Sequence, residues 1–150
     1  MEFYTLASGS SGNCTLVRAG GAVLLFDAGI SCRRIERSLR TLGLTLSDLT
    51  AVFLTHEHAD HTGGLATLCK KCSAPIYASR GMTHLLTCPA VPFTAGGAVT
   101  LGACTVRSFS TSHDAIDPVG YRVDGPDGSF GLLTDTGYVT DAAAETLDGV

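Results

Sequence analysis

Short apolar runs separated by glycine-rich or polar turns are the dominant pattern along the chain. Such runs, rich in Val, Leu, Phe and Thr, favour β-strands. The strands predicted in this way are Phe3–Leu6, Cys14–Arg18, Ala22–Phe26, Ala51–Thr55, Pro75–Ala78, Val99–Phe109, Val119–Val123 and Ser129–Thr134. The run at 51–55 has no polar alternation, so we expect that strand in the buried middle of a sheet.

Helical periodicity is clearest over Cys32–Thr41, with Ser31 as N-cap and Gly43 closing the helix. Ile35, Leu39 and Leu42 supply its apolar stripe at i, i+4 and i+7. Shorter helices are predicted after Gly63-Gly64, over Ser79–Leu86 and over Thr140–Leu147. The chain therefore has a mixed α/β (α+β) pattern in which helices cover sheets.

Composition restricts the chain to one domain, residues 1–150, with 45% apolar and 16% charged residues. No signal peptide and no membrane-spanning run is visible, so a cytoplasmic protein without a membrane partner is expected. The six cysteines are then expected to be reduced, and Cys69-Lys70-Lys71-Cys72 is interpreted as ordinary packing of two thiols.

The net charge of −4 argues against a broad basic surface, although a local basic patch stays open. Four arginines fall within the predicted helix at positions 33, 34, 37 and 40. They are either a solvated helix face or a contact for a nucleic-acid backbone.

Residues that bind metals are concentrated directly after the strand at 51–55. His56, His58, Asp60 and His61 form an H-x-H-x-D-H cluster that contains three of the five histidines. Imidazole and carboxylate ligands suit zinc or a similar first-row metal. Four ligands in so short a segment cannot easily face one ion. We therefore expect two neighbouring divalent ions, with His56 and His58 on one and Asp60 and His61 on the other, while Glu57 and Ala59 face away as spacers.

Three further candidates also follow apolar strands. His113 would complete a three-histidine set on the first ion, and Asp135 would bridge both ions. Asp27 is either a carboxylate that orients a ligand histidine or a simple turn cap. The loop before the second strand either cradles a phosphate or is a tight glycine-rich connection, and it comprises Ser8, Gly9, Ser10, Ser11, Gly12 and Asn13.

The run T-H-E-H-A-D-H at 55–61, with Asp27, His113 and Asp135 in that order, resembles the metallo-β-lactamase-fold hydrolases. S-G-S-S-G-N at 8–13, F-D-A-G-I-S at 26–31 and S-H-D-A at 112–115 are more similar to the YycJ/WalJ-like branch. The resemblance implies an αββα sandwich with two divalent ions, Zn²⁺ or Mn²⁺, at one edge of the packed sheets.

That branch implies a DNA substrate and 5′-to-3′ exonuclease activity. A hydroxide held between the two ions would attack the phosphodiester, with Asp60 and Asp135 as the catalytic carboxylates. Thioester or lactone hydrolysis, as in glyoxalase-II-like members, and metal binding without turnover stay open as alternatives.

Members of the family usually continue through further strands and a last histidine ligand, whereas no histidine follows His113 in this chain. The resemblance therefore implies that the chain contains the first half of a metallo-β-lactamase-like domain and the start of its second half, with an incomplete C-terminal sheet. Such a sheet is expected to expose an edge through which chains can self-associate.

Overall fold

The computed structural model describes residues 1–150 as ten strands and four α-helices. The strands are β1 (Glu2–Ala7), β2 (Cys14–Ala19), β3 (Ala22–Phe26), β4 (Ala51–Phe53), β5 (Ile76–Ser79), β6 (Val91–Phe93), β7 (Ala98–Leu101), β8 (Cys104–Ser110), β9 (Val119–Gly125) and β10 (Gly128–Leu132). The helices are α1 (Cys32–Thr41), α2 (Ala59–Thr62), α3 (Leu65–Lys71) and α4 (Asp141–Leu147). Single 3₁₀ turns occur at Leu46–Asp48 and Thr83–Leu85.

The first sheet has the strand order β1-β2-β3-β4-β5-β6. β1, β2 and β3 run antiparallel, and Gly20 and Gly21 form the tight β2–β3 turn with φ of 54° and 83°. From β3 to β6 neighbouring strands are parallel. Parallel neighbours need crossover connections, which α1 supplies between β3 and β4 and which α2 and α3 supply between β4 and β5. The crossovers bring the carboxyl ends of β3 and β4 to the same edge.

The second sheet is antiparallel, in the order β10-β9-β8-β7. One apolar cluster lies between the two sheets, where the rings of Phe26, Phe53 and Tyr121 pack with centroid separations of 5.3 to 5.4 Å. Another lies between the first sheet and α1 and α3, and it includes Ile35 and Leu68. With α4 against β8 and β9, the layers form the expected αββα sandwich.

The prediction for α1 is confirmed at both ends. Cys32 and Thr41 bound the helix, and the Ser31 hydroxyl accepts a hydrogen bond from the Arg34 N–H, which satisfies one of the first-turn donors. Ile35 and Leu39 are fully buried, as their spacing requires.

Two predictions for other elements were wrong in detail, and one strand was missed. The run at 99–109 is two strands, because Gly102 turns the chain with φ 62° between β7 and β8. The segment at 79–86 contains only the 3₁₀ turn at Thr83–Leu85. β6 was not predicted at all.

All six cysteines are free thiols. The Cys69 and Cys72 thiols donate to the carbonyl oxygens of Leu65 and Leu46, which fits their interpretation as packing residues. The longest helix has ten residues, and none is long and apolar enough to cross a bilayer.

Candidate metal centre

Each predicted ligand lies just beyond the end of a strand, at one edge of the sandwich. Asp27 follows β3, His56 follows β4, His113 follows β8 and Asp135 follows β10. β3 and β4 belong to the first sheet, whereas β8 and β10 belong to the second. The centre is therefore assembled across the two layers, from residues far apart in sequence.

The first cluster contains His56, His58 and His113, whose ligand atoms lie within 4.8 Å of one another. Their ring centroids are separated by 4.6 to 4.9 Å, and His113 Nε2 is 3.2 Å from His58 Nδ1. This is the three-histidine set that the sequence assigned to one ion.

His56 has the strongest features of a metal ligand. Its Nε2 atom is buried and has no hydrogen-bond partner, whereas Nδ1 lies 3.0 Å from the Thr55 hydroxyl. Burial, together with the neighbouring histidines, lowers the pKa of His56 to about 4. A neutral imidazole with a free, buried nitrogen fits a metal ligand, because a buried polar atom is otherwise costly to leave unpaired.

A second cluster contains His56, His61 and Asp135, again with ligand atoms within 4.8 Å of one another. His61 Nε2 is 2.9 Å from Asp135 Oδ2. Burial opposes ionisation of Asp135, but a hydrogen bond from Thr134 and the positive charge of nearby histidines lower its pKa below the usual value. Since His56 belongs to both clusters, the two candidate ion positions are adjacent.

Asp60 lies at the margin of the second cluster. Its Oδ2 is 3.6 Å from His61 Nε2 and accepts from the Asn13 amide at 3.3 Å. The backbone around it is the short helix α2. The structure therefore groups His61 with Asp135 and places Asp60 beside the pair, about a third exposed.

Asp27 lies beneath the centre and contacts both the histidine and the backbone of the ligand segment. Its Oδ2 is 2.8 Å from His61 Nδ1, and its Oδ1 accepts from the Thr55 N–H at 2.8 Å. Burial alone would lower the pKa of His61, but the Asp27 carboxylate raises it. Asp27 has φ 60°, a left-handed conformation that Asp tolerates better than most residues. Of its two predicted roles, the structure favours orientation of a ligand histidine.

Half of the backbone N–H groups of the loop at 8–13 donate hydrogen bonds within the protein. The N–H groups of Gly9, Gly12 and Asn13 bond to Asn13 Oδ1, the Gly9 carbonyl and the Asp60 carbonyl respectively. Only the serines of the loop, at 8, 10 and 11, are exposed with uncommitted donors. The Asn13 amide nitrogen lies 3.0 Å from His61 Nε2, so this loop contacts the metal centre directly.

Glu57 has a role that sequence reasoning missed. It faces away from the clusters, as expected of a spacer, but its Oε1 accepts a hydrogen bond of 2.9 Å from the Ile116 N–H. This contact ties the 56–61 segment to the loop that carries His113. The sequence gives no sign of this contact, because Glu57 and Ile116 are far apart along the chain and meet only when the two loops come together in the folded protein.

Comparison with known proteins agrees with this arrangement. A model of the metallo-beta-lactamase superfamily matches residues 7–87. Exodeoxyribonuclease YycJ of Bacillus anthracis is 36% identical over 157 residues, which cover 99% of this chain and 60% of that protein. Exodeoxyribonuclease WalJ of Streptococcus pneumoniae is 37% identical over 161 residues, with the same two coverages of 99% and 60%. The chain thus spans about three fifths of the length of these relatives.

Solved structures share the fold. A metallo-β-lactamase of Cronobacter sakazakii superposes with a TM-score of 0.70 at 22% identity, over 84% of this chain and 58% of the other. A β-lactamase from Chitinophaga pinensis superposes with a TM-score of 0.74 at 17% identity, over 89% and 62%. The family match, the sandwich and the strand-end ligands lead to one conclusion: the chain belongs to the metallo-β-lactamase superfamily.

Proposed function

We propose that this protein is a metal-dependent phosphodiesterase that degrades DNA as a 5′-to-3′ exonuclease. The observation that carries the proposal is the pair of adjacent clusters sharing His56, whose buried Nε2 has no partner in the protein. DNA is proposed as the substrate because the two exodeoxyribonucleases are similar to nearly the whole length of this chain. We place the reaction in the cytoplasm, where free thiols such as these six persist.

Two divalent ions, zinc or manganese, would be held by these residues. His56, His58 and His113 would hold the first, and His61, Asp135 and Asp60 would hold the second. When bound, such a pair supplies Lewis acidity, which lowers the pKa of a water molecule and neutralises charge on the phosphoryl oxygens.

The protein's own side chains prepare the site for that chemistry. Asp27 accepts a hydrogen bond from His61 Nδ1–H, so that Nε2 keeps its lone pair. Asp60 and Asp135 project carboxylate oxygens on the exposed side of the histidines, where they can orient the attacking water and accept its proton. The exposed hydroxyls of Ser8, Ser10 and Ser11 are available to the phosphate, which is one of the two roles that the sequence left open for this loop.

Activity on end-labelled duplex DNA with Zn²⁺ or Mn²⁺ tests the proposal. His58→Ala should lose at least 100-fold in cleavage rate, whereas His84→Ala should be unchanged because His84 is exposed and outside both clusters. Equal rates for the wild type and His58→Ala would refute the assignment.

A substrate panel separates the competing activities. Faster turnover of a thioester, a lactone or a β-lactam than of DNA would replace the nuclease assignment with one of those hydrolases. A fully metal-loaded protein that turns over none of these substrates would be a metal-binding protein without catalysis.

Self-association is a further part of the proposal. β10 ends the second sheet and pairs on one side only, with β9, so its other edge presents unpaired backbone groups. We expect the 150-residue chain to form dimers that dissociate on dilution, measured by sedimentation. A single monomeric species at all concentrations would contradict this.

A further inference from the structure

A strongly basic groove lies on the outer, exposed face of α1. It has a volume of about 670 Å³, and no apolar side chain lines it. The lining consists of the four arginines of α1 together with Ser31, Glu36 and Lys71. A second depression of about 420 Å³ shares Glu36, Arg40 and Lys71 and continues to Ser47. The two depressions are adjacent, and together they are called the α1 channel.

The positive charge of this channel is not balanced within the protein. Arg33, Arg34, Arg37 and Arg40 are exposed, and none of their guanidinium groups forms an ion pair or a hydrogen bond. Lys71 and Glu36 pair with each other at 3.1 Å and so cancel. In contrast, the arginines at 18, 107 and 122, elsewhere in the molecule, each contact a carboxylate.

The arrangement is also unfavourable for α1 itself. Arg33 and Arg37 are four residues apart, and Arg37 and Arg40 are three apart, so like charges face each other on the helix surface. The first turn contains no acidic residue but includes Arg33 and Arg34, which oppose the positive end of the helix dipole. An anionic ligand along this face would relieve both effects at once.

The channel begins close to the metal centre. Ser31 is four residues from Asp27, so their Cα atoms are separated by at most about 14 Å. Gly29, between them, packs so tightly that a β-carbon there would lie 1.6 Å from the Asp60 carbonyl oxygen. A linear polymer held at the metal centre can therefore reach α1, which extends the path by about 15 Å.

We propose that the α1 channel binds the phosphate backbone of a DNA strand whose scissile bond lies at the metal centre. This deepens the proposed nuclease function and rests on it. Arginine forms paired hydrogen bonds with phosphate oxygens, and neither depression is lined by an aromatic side chain on which bases could stack. Recognition is thus independent of sequence and sensitive to salt.

The test measures binding of the metal-loaded protein to a fluorescent single-stranded phosphorothioate DNA that resists cleavage, over a range of salt concentrations. The variant combines Arg33→Gln, Arg37→Gln and Arg40→Gln. The matched control removes the same charge elsewhere, through Arg18→Gln, Arg80→Gln and Arg107→Gln. For single strands each lost phosphate contact lowers the slope of log K against log salt by about 0.7. The channel variant should therefore lose a slope of about 2 and at least about tenfold in affinity, while the control retains both.

Equal losses in the two variants, or unchanged binding by the channel variant, would overturn the proposal. Displacement of the DNA by polyglutamate at equal charge concentration, or at least tenfold tighter binding of an RNA of the same sequence, would overturn it as well. Cleavage assays run in parallel keep the two proposals apart. If the wild type cleaves DNA and the channel variant binds normally, only the channel fails. If the channel variant loses binding but the wild type cleaves nothing, only the nuclease assignment fails.

Discussion

Replacement of Asp27 by asparagine should separate folding of the protein from assembly of the second ion position. The carboxylate is almost completely buried and accepts from three buried donors, the Thr55 N–H, the Thr55 hydroxyl and His61 Nδ1. Asparagine has the same shape and tolerates the left-handed backbone at this position. Its oxygen can still accept from Thr55, but its amide nitrogen presents a donor to His61 Nδ1.

The histidine must then change tautomer. With the amide donating to Nδ1, the His61 proton moves to Nε2, where the Asp135 carboxylate 2.9 Å away accepts it. Nε2 then has no lone pair for a metal. Loss of such a supporting contact typically weakens metal binding about 10- to 100-fold, while exchange of a charge-assisted for a neutral hydrogen bond costs about 1–3 kcal/mol in stability.

Alanine at the same position should behave differently. It leaves all three buried donors without an acceptor, at about 1–3 kcal/mol each, and it tolerates the left-handed backbone less well than Asp does. The expected loss in the free energy of unfolding is therefore about 3–9 kcal/mol, a large part of the total for a domain of this size.

Metal titration measures the affinity for the ions, denaturant unfolding measures stability, and the ¹⁵N shifts of the His61 ring report its tautomer. Asp127→Asn is the control, since Asp127 is 75% exposed and lies outside the centre. The reasoning is refuted if Asp27→Asn binds two ions with wild-type affinity, or if it is destabilised as much as Asp27→Ala.

Three further outcomes follow from named contacts. Tyr121→Phe removes the buried 2.7 Å hydrogen bond to the Leu54 carbonyl and should cost about 1–2 kcal/mol in urea unfolding; an unchanged midpoint would contradict it. Burial opposes ionisation of Asp124, but hydrogen bonds from Ser129 and Arg122 lower its pKa below the usual value. The stabilisation that ionised Asp124 provides is therefore complete above about pH 4, and it is lost as the pH falls through the lowered pKa of the folded state. Acid unfolding of Asp124→Asn should lack that component, and an identical acid profile would count against it. Removal of the metal by a chelator, starting from a free metal concentration of 100 times Kd, should lower the free energy of unfolding by about 2.7 kcal/mol per ion, or Tm by about 5–11 °C. This loss is expected in the wild type and in His84→Ala, and a smaller one in His58→Ala. Equal shifts in all three proteins would be inconsistent with the assigned ligands.

The sequence was most informative where one physical pattern acted alone. α1 has a good N-cap in Ser31 and a regular buried stripe, and its ends were predicted correctly. The ligand candidates were recognisable because each is a polar residue directly after an apolar strand. Crossover connections then force parallel strands such as β3 and β4 to end at one edge.

The sequence was least informative where geometry overrides a local pattern. β6 contains Pro92, which argues against a strand, yet β6 is the edge strand of its sheet, where a proline is tolerated. α2 has only four residues, too few to show a helical period. The sequence also placed His56 and His61 on different ions, whereas the backbone turn at α2 brings the two rings to a centroid separation of 4.0 Å.

The same geometry makes the metal centre a property of the whole sandwich. His56, His58 and His61 follow a strand of the first sheet, whereas His113 and Asp135 follow strands of the second. Backbone and side-chain bonds join the layers just below the ligands, from the Val119 N–H to the Thr55 carbonyl and from the Tyr121 hydroxyl to the Leu54 carbonyl.

Neither bond involves a candidate ligand side chain, so the two layers are joined next to the centre independently of the ions. Each ion would add a further link between the same two layers. Because the separate layers hold only part of each ligand set, an ion binds the packed sandwich more tightly than the unfolded chain, and metal affinity contributes directly to the free energy of folding. Substitutions that loosen the interface between the sheets should therefore weaken metal binding even when they touch no ligand.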